Sequence, residues 1–165
     1  MGNSFHVINA KELLRLTAFV LLPLAVGGLA AFLTRNSFSV YAALEKPPLS
    51  PPGYLFPIVW TILYILMGIA SYLVYRKGPQ KPYVQDALRF YLVSLVLNFL
   101  WPIVYFRFGM LFAAFWVLLL LWLVVGITTA KFYRISRPAG LLMLPYWLWV
   151  TFAGYLNLAT WLLNR

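Results

Sequence analysis

Apolar residues fill this chain in five long blocks, near residues 13–33, 55–75, 87–106, 109–131 and 139–162. Polar or proline- and glycine-bearing stretches part them. About 20 apolar residues let an α-helix cross the hydrocarbon core of a bilayer. In hydrocarbon every backbone N–H and C=O needs a partner, and a helix supplies one within a single segment. The pattern therefore predicts an all-α integral membrane bundle of five transmembrane helices, forming one domain over residues 1–165. No internal repeat or low-complexity segment divides it. Short connections imply neighbouring helices that run up and down.

The breaks carry their own information. Arg76-Lys77-Gly78-Pro79 stops the second block, Arg107-Phe108-Gly109 makes a tight turn after the third, and residues 134–138 separate the last two. The first connection, near residues 34–54, is long for such a bundle and contains Lys46-Pro47-Pro48-Leu49-Ser50-Pro51-Pro52-Gly53. Proline fixes φ and restricts the residue before it, so Pro47, Pro48, Leu49, Pro51 and Pro52 read as a stiff lid, the pattern of a functional loop. Two starts for the second helix are open. Ser50 can cap a helix with Pro51 at its first position, or the helix starts near Leu55 with Pro57 in its first turn. Pro102 and Pro145 are expected to bend their helices.

Polar and aromatic residues share faces within the blocks. The third block places Tyr91, Ser94, Asn98, Trp101 and Tyr105 at spacings of three and four. An amide in hydrocarbon is costly without a partner, so Asn98 is expected to face the interior. The fifth block aligns Tyr146, Trp149, Ala153, Asn157 and Thr160, and the second aligns Trp60, Tyr64, Met67 and Ser71. In the first, Gly27, Gly28 and Ala31 allow close helix packing or leave room for a flat ligand. A plainer reading stands beside this one. Aromatic stripes also arise as packing or interfacial belts, and a buried Asn often only bonds a neighbouring helix. Trp116 and Trp122 in the fourth block fit that plainer reading, and Thr128 and Thr129 are expected to bond carbonyls one turn back.

Composition agrees with the membrane class: 64% hydrophobic residues, 10% charged and a mean hydropathy of +0.86 leave too little polar surface for a soluble domain. The formal charge of +10 changes the picture less than its distribution does. No basic run is long enough to track phosphates, so no nucleic-acid partner is expected. Lys11, Arg15, Arg76, Lys77, Lys81, Arg89, Lys131, Arg134 and Arg137 fall on one side, against Arg35, Lys46, Arg107 and Arg165 on the other. By the positive-inside rule this puts the N-terminus in the cytoplasm and the C-terminus outside.

The chain has no cysteine, and its one histidine, His6, lies in the N-terminal tail without an acid or thiol beside it. No metal site and no cofactor are expected. With no carboxylate or histidine in any block, a proton relay is not expected either. The faces described above suit a flat apolar organic molecule.

Several of these residues recur in a known order. Lys46-Pro47-x-x-x-Pro51-Pro52-Gly53 leads into Val59-Trp60, Leu63-Tyr64 and Met67-Gly68. Asn98-x-x-Trp101-Pro102 follows, ending in Tyr105-Phe106. Then come Leu144-Pro145-Tyr146, Trp149-Val150-x-Phe152-Ala153 and Leu156-Asn157. The series resembles the signature of the translocator protein family, also called tryptophan-rich sensory or TspO/MBR proteins, with Pro23 and Gly27-Gly28 as a looser match in the first block. The resemblance implies a bacterial-type member in the cell membrane: a five-helix bundle, commonly a homodimer, that binds porphyrins such as protoporphyrin IX. It also assigns the N-terminal apolar run to the bundle, against its other reading as a cleavable signal peptide.

The leading expectation is a receptor or sensor that holds a porphyrin under the lid among Gly27, Gly28, Trp60, Tyr64, Asn98, Trp101, Tyr146, Trp149 and Ala153. The resemblance implies that Asn98 touches the ligand and that Ala153 tunes the response to it. Two alternatives remain: light- and oxygen-dependent porphyrin breakdown with Trp60 and Trp149 as the catalytic pair, and transport of porphyrins or other lipophiles. Val40 and Leu49 stand where the family usually has tryptophan, so this lid lacks two indoles.

Overall fold

Asn9 begins the first helix by accepting the Glu12 backbone N–H on its side-chain oxygen at 2.9 Å. Glu12 is the third helical residue, where a negative charge suits the helix N-terminus. This cap moves the start of the helix ahead of the apolar block. In the computed structural model, which describes residues 8–165, α1 spans Ala10–Thr34. A 3₁₀ turn, Arg35–Ser37, and the short helix α2, Phe38–Ala42, continue it. The expected loop over 34–54 is thus helical at its near end, and the irregular lid is residues 43–54. His6 lies outside the described residues.

The two starts offered for the second helix resolve in favour of the later one. Ser50 does not cap: its hydroxyl donates to the Pro47 carbonyl at 2.7 Å, closing a turn within the lid. Helix α3 runs Leu55–Tyr75, with Pro57 in its first turn. There a missing N–H costs nothing, because the first N–H groups of a helix have no intrahelical acceptor. Helix α4 spans Pro82–Pro102, opening on a proline at its first position, and continues past Pro102 as a π-helix, Ile103–Arg107. Helices α5, Leu111–Ile135, and α6, Arg137–Leu163, are parted only by the extended residue Ser136. Among the described residues, five spans are long and apolar enough to cross a membrane, counting Ala10–Ala42 as one and Pro82–Arg107 as another.

The helices close into a ring in the order α1, α3, α6, α5, α4 and back to α1. Alternation holds at the polar ends. Arg76 after α3 pairs with Glu12 at the start of α1 at 3.7 Å, and Lys131 near the end of α5 pairs with Asp86 at the start of α4 at 2.6 Å. Chain adjacency does not decide the neighbours, however. Helices α3 and α4 are joined by a short link yet touch only slightly, and α3 packs instead on α1 and α6. Gly68 explains the α1 contact: a Cβ there would stand 2.6 Å from the Val20 Cα and 2.9 Å from the Phe19 carbonyl oxygen.

The surface is apolar all round. Leu21, Leu29, Val96, Leu120 and Leu148 are among the large hydrophobic side chains that point outwards from four helices. Water would penalise such a surface, and lipid does not. The protein is an integral membrane protein.

Candidate functional site

The polar centre of the bundle is built by three helices. Tyr64 comes from α3, Asn98 from α4 and Tyr146 from α6, and each is buried. Tyr64 donates its hydroxyl proton to Asn98 Oδ1 at 3.1 Å, and Asn98 Nδ2 donates to the Tyr146 oxygen at 2.7 Å. The amide that the helical spacing aims inwards is thus held at both ends by tyrosines from other helices, which removes most of the cost of placing it in hydrocarbon.

Aromatic rings surround this centre. Trp60 lies one turn before Tyr64 on α3 and stacks on it with centroids 5.6 Å apart, while its edge meets Tyr146 at 6.2 Å. Trp149, about one turn beyond Tyr146, packs against Phe56 at 6.0 Å and Phe152 at 5.6 Å. The Trp149 Nε1 and the Tyr91 hydroxyl are both buried, and neither has a hydrogen-bond partner among the described residues. Buried polar groups are nearly always paired, so an unpaired indole N–H on this wall is a donor held ready. Met67 and Ala153 are also buried here.

Three expected members of the site differ from their expected roles, two of them by position. Gly27 does face the centre, but the Tyr64 ring fills the place where its Cβ would stand, so the room expected for a flat ligand is occupied by a side chain of the protein itself. Gly28 turns to the exposed side of α1, where a Cβ would meet nothing within 4 Å. Trp101 belongs to a neighbouring cluster. Its Nε1 donates to Asn157 Oδ1 at 2.9 Å, and its ring lies 5.2 Å from Tyr105 and 6.0 Å from Phe106. Asn157 in turn donates to the Leu111 carbonyl at 2.9 Å, bracing the start of α5.

The lid sits on α6. Pro47 is buried, Pro51 is partly buried, and Pro48, Leu49 and Pro52 are exposed. Tyr155 donates its hydroxyl to the Pro48 carbonyl at 2.8 Å. Asn164, just after α6, accepts from the Glu45 N–H at 2.9 Å and donates to the Glu45 carbonyl at 2.8 Å. The sequence reading missed Phe56, Phe152, Tyr155 and Asn164. Steps of three residues from Trp149 reach Phe152 and Tyr155, and that continuation was the available signal.

In the fourth span Thr128 and Thr129 bond the carbonyls of Val124 and Val125, as their position in an apolar helix predicts. Trp116 is exposed, whereas Trp122 stacks on Trp147 at 5.4 Å and donates to the Thr151 hydroxyl at 2.8 Å. Trp122 borders an open cavity of about 210 Å³ on the outer face of α5 and α6, lined also by Phe115, Leu118, Val150 and Gly154. The central site itself is a set of uncharged hydroxyl, amide and indole groups on aromatic walls. Such a surface can stack on a planar molecule and hydrogen-bond to it.

Comparison with known proteins places this architecture. The model of the TspO/MBR family matches residues 19–162, which include every helix that builds the site. The chain is 39% identical over 155 residues to the tryptophan-rich protein TspO of Chlorobaculum tepidum, covering 93% of this chain and 98% of that one. It is 39% identical over 154 residues to the tryptophan-rich protein TspO of Archaeoglobus fulgidus, covering 93% and 99%. To the translocator protein of Bos taurus it is 37% identical over 150 residues, covering 89% and 88%. The chain belongs to the TspO/MBR family.

Proposed function

We propose that this protein binds a porphyrin of the protoporphyrin IX type at the Tyr64–Asn98–Tyr146 centre, as a membrane receptor or sensor. One observation carries the reading: a buried hydrogen-bonded amide whose two tyrosine partners pack against Trp60, with Trp149 packed on the same core and carrying a buried, unpaired N–H. An extended apolar ring with polar substituents matches that surface, since indoles and phenols stack on its face while the amide and the indole N–H meet its polar edge. Because Trp60 and Tyr64 stack on each other, a macrocycle enters by parting them and replacing ring–ring contact with ring–ligand contact. Ala153, one turn beyond Trp149 on α6, is buried and adds only a methyl group there.

The protein acts as a homodimer in the bacterial cell membrane, with its N-terminus in the cytoplasm. The nine-to-four Lys/Arg bias between the two ends supports the orientation, and the family resemblance supports the dimer and the bacterial membrane.

The test is a titration of purified protein with protoporphyrin IX, following tryptophan quenching in the dark and porphyrin absorbance in the light, beside Trp60→Phe/Trp149→Phe. Saturable quenching is expected in both proteins, since phenyl rings still stack. Absence of saturable quenching in the wild type would overturn the reading. Light-driven loss of absorbance in the wild type alone would make the indoles catalytic and the protein a porphyrin-degrading enzyme.

A further inference from the structure

The lid contains no regular structure, and one of its residues is held in an unfavourable conformation. Leu49 has φ of 69° and is 80% exposed. Leu49 is the third residue of a turn that the Ser50 N–H closes on the Pro47 carbonyl at 3.3 Å, and the residue before it in that turn, Pro48, is the one whose carbonyl is tied to α6. Among the described residues, every hydrogen bond from residues 43–54 to a part of the chain beyond their flanking helices goes to one of two side chains. Tyr155 takes the Pro48 carbonyl, and Asn164 takes both backbone groups of Glu45. Pro48 has no N–H, so its carbonyl is the only backbone group by which it can be held.

These ties are placed to be undone. All three hydrogen bonds are exposed, where water competes for both partners and the net stabilisation is small. The prolines keep the segment stiff, so it moves as a unit. The latch is also mechanically close to the site. Tyr155 stacks on Phe152 at 6.2 Å, and Phe152 packs on Trp149 at 5.6 Å. On the other side, the lid runs directly into α3, where Phe56 packs on Trp149 and Trp60 lies about one turn further along.

We infer that Tyr155 and Asn164 form a latch on α6 that holds the lid shut over the aromatic site, and that releasing it opens the route by which a ligand enters. This inference rests on the proposed binding site for what the lid admits, but the latch itself can be tested without a ligand. Displacing the Trp149 ring displaces Phe152 and Tyr155 with it, so an arriving planar ligand loosens the latch that covers it. Tyr155 and Asn164 are positioning residues in this scheme and touch no ligand.

The test uses the full chain in nanodiscs. In Asn164→Ala the Glu45 amide loses its acceptor, and hydrogen exchange across residues 43–54 is expected to quicken about tenfold, with a smaller gain in Tyr155→Phe. Because the chain has no cysteine, Ala153→Cys introduces a single thiol on the wall of the site. Its labelling by a water-soluble methanethiosulfonate reagent is expected to quicken in both latch variants. Tyr155→Phe keeps the ring and guards against a folding defect in Asn164→Ala. Unchanged exchange in both variants would overturn the latch. Faster exchange with unchanged labelling would overturn its role as a gate. Faster exchange and labelling in a protein that shows no porphyrin quenching would support the gate and overturn the porphyrin reading alone.

Discussion

Asn98 and Asn157 are both buried amides in the later turns of membrane helices, yet they serve different regions of the molecule. Asn98 is bonded only to side chains, the hydroxyls of Tyr64 and Tyr146. Asn157 is bonded to an indole and to the Leu111 backbone carbonyl, which cannot move without moving α5. In the proposed function the first arrangement exchanges a protein partner for the ligand. The second is a brace between helices. Identical residue types on helical faces thus separate into site and scaffold by the kind of partner they meet.

The largest effect on stability is expected where the brace is removed. Asn157→Ala leaves the Trp101 N–H and the Leu111 carbonyl without partners in an apolar interior, a loss of about 2 kcal/mol. Unfolding by denaturing detergent measures it, while porphyrin affinity of the folded fraction is expected to hold. A larger change in affinity than in stability would erase the distinction between the two amides. Asn98→Leu replaces the amide with an apolar side chain of similar size, and a smaller loss of about 1 kcal/mol is expected because no cavity is left and only Tyr64 loses an acceptor. Here the affinity for protoporphyrin IX is expected to fall about tenfold, read from tryptophan quenching. Equal affinity would remove Asn98 from the site.

Trp101→Phe sharpens the same comparison from the other partner. It keeps an aromatic ring beside Tyr105 and frees only Asn157 Oδ1, so a loss of about 1 kcal/mol is expected with no change in porphyrin binding. Weaker binding would bring Trp101 into the site after all. The smallest effect is expected from Tyr64→Phe, which deletes one of two hydrogen bonds to Asn98 and leaves the stack with Trp60 in place. About 0.6 kcal/mol of stability is at stake, within the range measured for bonds between membrane helices. A loss as large as that of Asn157→Ala would mean that the centre is a brace too.

Much of the fold was legible in advance because hydrocarbon makes one demand of every segment. The end of the second helix is marked in the sequence by Arg76-Lys77-Gly78, while its start was open between Pro51 and Leu55, and the structure takes the later one, Leu55–Tyr75. Helix α1 starts earlier than its apolar block because a polar cap, Asn9, extends it. The near end of the first connection was read as loop because Arg35, Asn36 and Ser37 interrupt the apolar run, yet the backbone stays helical through them to Ala42. Of the candidate site, Asn98 faces the interior as its helical spacing suggested, and its bonds to Tyr64 and Tyr146 come from the packing of three helices. Trp101 shares a face with Asn98, but one turn of helix carries it past the centre to Asn157.

The motifs in chain order already pointed to the TspO/MBR family. Apolar length and helical period by themselves determined a five-span membrane bundle with Asn98 facing inwards. Only the tertiary structure decided which helices are neighbours, that the Tyr64 ring occupies the space beside Gly27, and that the lid is tied to Tyr155 and Asn164. Residue 45 and residue 164 lie at opposite ends of the spacing pattern, and no periodicity relates them. They come together because the helices close into a ring, and which ring they close into depends on shape fit between faces, such as Gly68 against the backbone of Val20, that no single segment contains.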